Sequence, residues 1–164
     1  MDNGIQISDS MDTHKKVFVV YGHDEQAKVQ LEAMLRRWEL EPLILDQLTS
    51  SGNTIIEKLE ETINQVSFGI VLATPDDIGY AKDKEDEKKF RVRQNVVLEL
   101  GMLLSKLGRE KVAILLSQKE KDLEKPSDID GLIYIPFTNN IEETKVNLSK
   151  EMKRNGYSIE IENL

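Results

Sequence analysis

The sequence is poor in the residues that most often build metal sites and covalent links. Its 164 residues contain no cysteine and only two histidines, His14 and His23. A chain without cysteine forms no disulfide, no zinc–thiolate site and no cysteine nucleophile, and its redox compartment is not constrained. Two histidines are too few for a histidine-rich metal site. We therefore expect a protein with no metal site.

Positive charge and long apolar runs are also scarce. Lys and Arg number 22 against 30 Asp and Glu, which gives a formal net charge of −8. Nucleic acids and anionic membranes bind positive surfaces, so we expect neither direct nucleic-acid binding nor membrane association. No apolar run reaches transmembrane length, and the first 16 residues have no apolar signal core. A cytoplasmic location is the default expectation, and a small anion can still bind where arginines cluster.

Short, continuous apolar runs alternate with amphipathic stretches along the chain. Continuous apolar runs are typical of strands that are buried on both faces of a parallel sheet. The alternation predicts an α/β fold with a five-stranded parallel sheet in the order 2-1-3-4-5 and helices on both faces. The predicted strands are residues 17–22, 42–46, 68–74, 111–117 and 132–137, and the predicted helices are residues 24–37, 54–66, 95–107 and 141–155.

The rest of the chain is assigned by composition and by local signals. Asp24 is expected to cap the first helix, and Thr54 with Glu57 fits a capping box for the second. Residues 76–92 are rich in charge and are expected to form a solvated loop. The predicted organisation is a flexible leader (1–15), one domain (16–156), and a tail (157–164) that is either a last strand or a linker to a further domain.

The predicted sheet also predicts where a ligand would bind. In open doubly wound sheets, ligands lie beyond the carboxyl ends of the strands, where the strand order reverses. Gly22 and His23 follow the first strand on this edge, and Thr74, Asp76 and Asp77 follow the third. Taken alone, Gly22 fits a tight turn, His23 a polar loop, and the two acids a solvated turn.

One carboxylate stands out in the stretch RVRQNVVLELG (91–101). Glu99 lies beside the apolar face of the predicted helix, and Asn95 is its neighbour one turn earlier. Two interpretations stay open on spacing alone. A first-turn glutamate is stabilised by the helix dipole, which spacing slightly favours, whereas the switch-point position favours a functional carboxylate. The sequence has no G-x-x-x-x-G-K-[ST], G-x-G-x-x-G or G-x-S-x-G motif.

Several stretches together resemble one family. They are VFVVYGHD (17–24), SGNTIIEKLE (51–60), GIVLATPDDIG (69–79), RVRQNVVLELGMLLSKLGRE (91–110) and PSDIDGLIYIPF (126–137). In combination they resemble the bacterial TIR-like domains of antiphage defence effectors, of the TIR-STING, CBASS and Pycsar types, over residues 17–137. One position departs from the pattern, because Tyr21 stands where a smaller residue or a histidine is expected.

The resemblance implies a flavodoxin-like fold and NAD⁺ nucleosidase activity, with NAD⁺ as substrate rather than cofactor. It implies that Glu99 is catalytic. The substrate-binding residues that it implies are Gly22, His23, Thr74, Asp77, Arg91, Arg93 and Asn95. It also implies assembly into a homo-oligomer or filament on activation, packing and gating by the loop at 47–53, and a fused or associated cyclic-nucleotide sensor.

Two other functions remain open at this stage. A nucleoside deoxyribosyltransferase-like enzyme shares the sheet and uses a helix-borne glutamate as a covalent nucleophile. A noncatalytic TIR assembly or adaptor module would use the same surfaces only to assemble with other TIR domains. A phosphoacceptor receiver domain is disfavoured because the fifth strand, IYIPF, offers no lysine at its end.

Overall fold

The fold is built around a five-stranded parallel sheet. The computed structural model describes residues 13–45, 54–126 and 130–164. In chain order the strands are β1 (Lys16–Val20), β2 (Glu41–Ile44), β3 (Gly69–Ala73), β4 (Asp77–Gly79), β5 (Lys89–Arg91), β6 (Val112–Ser117), β7 (Leu123–Glu124) and β8 (Ile133–Phe137). The main sheet has the order β2-β1-β3-β6-β8, and all its pairs are parallel. The predicted α/β fold and strand order are confirmed.

Helices cover both faces of the main sheet. They are α1 (Glu25–Arg37), α2 (Ile55–Ile63), α3 (Gln94–Leu107) and α4 (Lys145–Arg154). Alternate residues of a strand point to opposite faces. Val19 accordingly packs in the core with α1 and α4, whereas Val20 packs in the core with α2 and α3. Both faces of the sheet are therefore sealed, which explains the continuous apolar strands.

The two predicted helix caps are confirmed, whereas the last helix begins at Lys145 and not at residue 141, because Ile141–Thr144 forms a 3-10 turn. The Asp24 carboxylate accepts a hydrogen bond from the Ala27 N–H at 2.9 Å and caps α1. At α2 the Glu57 N–H donates to the Thr54 hydroxyl at 3.2 Å, and the Thr54 N–H donates to the Glu57 carboxylate at 2.7 Å. Not every apolar residue near these helix starts is buried, because Ile55 is 72% exposed and Val97 is 40% exposed.

The prediction of a solvated loop at 76–92 is wrong at both of its ends. β4 pairs antiparallel with β5, and β5 pairs parallel with β7. The two ends of this segment therefore form a second, three-stranded sheet together with β7. These strands are two or three residues long, which is too short for an alternating pattern to show in the sequence. The middle of the segment is an exposed 3-10 turn, Glu85–Glu87.

The C-terminal segment packs against the body of the domain. Tyr157 is 3% exposed, and its hydroxyl donates to the Lys16 carbonyl at 2.7 Å and accepts from the Ser67 N–H at 3.3 Å. Residues 161–163 form a 3-10 turn, and no strand forms within 157–164. Most of the predicted leader and the whole loop at 47–53 lie outside the described residues. Among the described helices, none is long and apolar enough to cross a membrane.

Candidate active site

A cavity of about 330 Å³ opens at the carboxyl edge of the main sheet. It lies beside the point where the strand order reverses, between β1 and β3. Residues at the ends of β1 and β2 and residues from the first two turns of α2 and α3 line it. Its lining residues are Val19, Tyr21, Gly22, Ile44, Leu45, Ile55, Lys58, Arg93, Asn95 and Glu99. The structure thus brings together three of the residues predicted on α3 and its N-cap with Gly22 of the strand-one turn.

Among the described residues that line this cavity, Glu99 is the only carboxylate. It is the sixth residue of α3 and is half-buried beside Leu100, which belongs to the core. The first turn of α3 contains no acidic residue. Because the helix dipole acts mainly within the first turn, it does not explain an acid at this depth. The geometry therefore disfavours the capping interpretation of Glu99.

Two cations line the same cavity. Arg93 is the N-cap residue of α3, which has no side-chain capping hydrogen bond, and Lys58 lies in the second turn of α2. In residues 13–45, 54–126 and 130–164, no carboxylate lies within ion-pair distance of either side chain. In a chain with a net charge of −8, two unpaired cations beside one acid favour an anionic ligand.

Asp76 ties the end of β3 to the turn after β1. Its Oδ1 accepts from the Thr74 hydroxyl at 2.8 Å and from the His23 N–H at 3.2 Å. Its Oδ2 is buried and has no hydrogen-bond partner among the described residues. A Cβ at Gly22 would lie 1.8 Å from that oxygen, so any other residue there forces the Asp76 carboxylate to move. The strand-one turn keeps its shape because this carboxylate reaches across to it.

Two predicted substrate-binding residues do not line the cavity. Thr74 is 1% exposed, and its hydroxyl donates a hydrogen bond to Asp76. His23 is exposed, and its backbone N–H donates a hydrogen bond to the same carboxylate. Thr74 and His23 therefore hold the Asp76 carboxylate in place next to the cavity and do not line the cavity themselves.

Two further predicted residues, Asp77 and Arg91, line a neighbouring cavity of about 600 Å³. They face each other across the β4–β5 pair, and the Arg91 guanidinium forms an ion pair with Glu124 of β7. Arg93 and Asn95 line both cavities and so form the ridge between them. The two arginines of the R-V-R stretch thus differ, since one is paired and the other is not.

Tyr21, which departs from the family pattern, forms part of the cavity wall. Its hydroxyl donates to Glu25 at 3.2 Å and accepts from the Lys28 ammonium at 3.3 Å. The hydrogen bond to Glu25 raises the pKa of the buried Lys28 well above its usual value, so this group stays charged. The position of Tyr21 is therefore fixed on its polar side.

Sequence reasoning missed Lys58 and Tyr21, and it named Asp77 where Asp76 makes the structural contact. Their signals were weak but present. Tyr21 ends the first apolar run, Asp76 follows Thr74 at the spacing of a short turn, and Lys58 lies one turn after the Thr54 cap. Within the described ranges, no group of His, Asp and Glu side chains is arranged to hold a metal ion.

The described fold is that of a TIR domain. It superposes on the TIR domain of the Toll-related receptor TRR-2 from Hydra magnipapillata with a TM-score of 0.58 at 16% identity, covering 84% of this chain and 97% of that one. At the level of sequence, the model of the TIR domain of CAP12/Pycsar effector proteins matches residues 16–139. The chain therefore belongs to the CAP12/Pycsar effector TIR-domain family, which confirms the resemblance.

Individual relatives support this assignment. The chain is 44% identical to protein YuaY of Escherichia coli K12 over 120 residues, which are 73% of this chain and 39% of YuaY. It is 34% identical to protein tirC of Dictyostelium discoideum over 143 residues, 84% of this chain and 71% of tirC. It is also 34% identical to the Pycsar effector XpPycTIR of Xanthomonas perforans over 82 residues, 50% of this chain and 26% of that protein. The chain thus spans well under two thirds of YuaY and of XpPycTIR.

Proposed function

We propose that this TIR domain is an NAD⁺ nucleosidase that cleaves the nicotinamide–ribose bond. In this proposal it acts in the cytoplasm as an effector of bacterial antiphage defence, depletes NAD⁺, and is activated by oligomerisation. The observation that carries the proposal is the half-buried carboxylate of Glu99 in a cavity at the sheet edge, beside two cations that pair with no carboxylate among the described residues. Membership of the CAP12/Pycsar effector family supports it.

One carboxylate is sufficient for this chemistry. When the N-glycosidic bond of NAD⁺ breaks, its electron pair stays with the nicotinamide nitrogen and neutralises the ring. The leaving group therefore needs no general acid. The ribose passes through an oxocarbenium-like state, which a nearby carboxylate stabilises electrostatically. Water then forms the new bond to the ribose carbon and releases a proton.

The charges in the cavity favour a phosphorylated substrate. Arg93 and Lys58 have no carboxylate partner in the part of the chain that the structure describes, and a pyrophosphate would supply negative charge beside them. A nucleoside deoxyribosyltransferase acts on substrates without phosphate and would leave both cations unpaired. The charge pattern therefore favours a dinucleotide over a nucleoside.

Activation by assembly is part of the proposal. Ile55 is largely exposed on α2, directly after the loop at 47–53, and it lines the cavity as well. A neighbouring copy that packs on this apolar surface would change the wall of the cavity itself. We propose that a fused or associated cyclic-nucleotide sensor drives that assembly.

The test compares Glu99→Gln with a matched control. Glu60→Gln changes an exposed glutamate of α2 that does not line the cavity. Loss of one charge-stabilising group in an enclosed site costs about a hundredfold to a thousandfold in kcat. We expect Glu99→Gln to lose NAD⁺ cleavage to at least about that extent, measured by chromatography with artificially clustered protein, and Glu60→Gln to keep it.

The rival functions give different results in the same assay. Unchanged turnover in Glu99→Gln would contradict the catalytic role. Wild-type protein that is assembled but inactive on NAD⁺ would favour the noncatalytic module. Exchange of a free base into a deoxynucleoside would favour the transferase.

A further inference from the structure

The cavity that contains Glu99 is small for a dinucleotide. Its volume of about 330 Å³ lies at the lower end of the range for small-molecule sites, roughly 300–1,000 Å³. It suits one nucleotide half of NAD⁺, the half with the reacting bond. The second half would then extend onto a neighbouring part of the surface.

The neighbouring cavity of about 600 Å³ is placed to receive that half. It shares Arg93 and Asn95 with the Glu99 cavity, so the two cavities meet at these residues. A molecule with two halves joined by a pyrophosphate would place its charged centre at Arg93. Arg91, in contrast, is already paired with Glu124 and is less available to a phosphate.

The walls of the second cavity carry the groups that recognise a purine nucleoside. Tyr80 is 39% exposed and offers an aromatic side chain, and Ile78 is 62% exposed and apolar. The Lys88 ammonium lies 5.4 Å from the centre of the Tyr80 ring, so a cation also supports this wall. The Asp77 carboxylate is an acceptor for amine or ribose hydroxyl hydrogens.

We propose that the cavity lined by Asp77, Ile78, Tyr80 and Arg91 is the subsite for the adenosine half of the substrate. The Arg93–Asn95 ridge holds the pyrophosphate between this subsite and the Glu99 cavity. The inference rests on the proposed function for the identity of the substrate. It gives a role to the β4–β5 pair of the small sheet, whose residues line the second cavity.

The experiment removes the aromatic wall. Stacking of a base on an aromatic side chain is worth about tenfold or more in affinity. We expect Tyr80→Ala to raise the KM for NAD⁺ about tenfold with kcat nearly unchanged. Its kcat/KM for nicotinamide mononucleotide, which lacks the adenosine half, should equal that of the wild type. Ile161→Ala removes an exposed apolar side chain outside both cavities and is the control, with an unchanged KM for NAD⁺.

Two kinetic results would overturn the subsite. One is an unchanged KM for NAD⁺ in Tyr80→Ala, which would place the adenosine half elsewhere. The other is an equal loss on both substrates, which would show a general structural effect.

If the wild type cleaves neither substrate, the proposed function fails and an AMP titration decides the subsite. Binding of AMP that is weakened about tenfold by Tyr80→Ala, but not by Ile161→Ala, supports it. AMP that does not bind, or that binds both variants equally, overturns it.

Discussion

Replacement of Gly22 by alanine tests the link between β1 and β3 on which the cavity depends. The new Cβ would lie 1.8 Å from Asp76 Oδ2 and 2.7 Å from its Cγ, far inside ordinary contact distance. The Asp76 carboxylate would have to rotate away. It would then lose the hydrogen bonds from the Thr74 hydroxyl and the His23 N–H.

The expected cost follows from those two hydrogen bonds. Each has a charged acceptor and contributes about 1.5 kcal/mol, so Gly22→Ala should lower the free energy of unfolding by about 3 kcal/mol. Urea unfolding followed by the fluorescence of Trp38, the single and fully buried tryptophan, measures this directly. Gly101→Ala is the matched control, because a Cβ there meets nothing within 4 Å in the middle of α3. It should raise stability by up to about 1 kcal/mol.

A double-mutant cycle separates the clash from other effects of the methyl group. In an Asp76→Ala background the clash is absent, so Gly22→Ala should cost less than about 0.5 kcal/mol. If Gly22→Ala costs the same in both backgrounds, the contact with Asp76 is not the reason for the glycine. A wild-type urea midpoint in Gly22→Ala alone would refute the reasoning as well.

Two further predictions concern charge. The hydrogen bonds from the Arg37 guanidinium lower the pKa of Glu142 in the folded protein. The pair therefore stabilises the fold fully at pH values above the pKa of an unfolded glutamate, about 4.3. This stabilisation is lost as the pH falls through the lower pKa that Glu142 has in the folded state. Glu142→Gln should therefore cost about 0.5–1 kcal/mol at pH 7 and almost nothing near pH 2, and equal urea midpoint shifts at both pH values would contradict this. Lys58→Met should raise the KM for NAD⁺ severalfold, and the increase should be larger at low salt than at high salt. Lys150→Met, on the exposed side of α4, is the control and should leave the KM unchanged. An unchanged KM in Lys58→Met would show that Lys58 does not bind the substrate.

Much of the fold could be predicted because its signals are local. The run VFVVYG is apolar at successive positions, which only a strand covered on both faces can accommodate. Asp24 and Thr54 cap helices through contacts with residues three positions away, so their role shows in the sequence itself. The edge of the sheet that carries Glu99 followed from the strand order alone.

Only the tertiary structure decided which side chains meet in the cavity. Arg91 and Arg93 look equivalent in the sequence, but Arg91 meets Glu124, 33 residues away, across two short strands that no periodicity predicts. Asp76 acts on a turn 53 residues earlier. Such contacts depend on how separate elements pack. The sequence by itself therefore determined the main sheet and the position of Glu99 at its edge. The packing of distant segments decided that Lys58 and Arg93 lie beside Glu99 and that the second cavity forms.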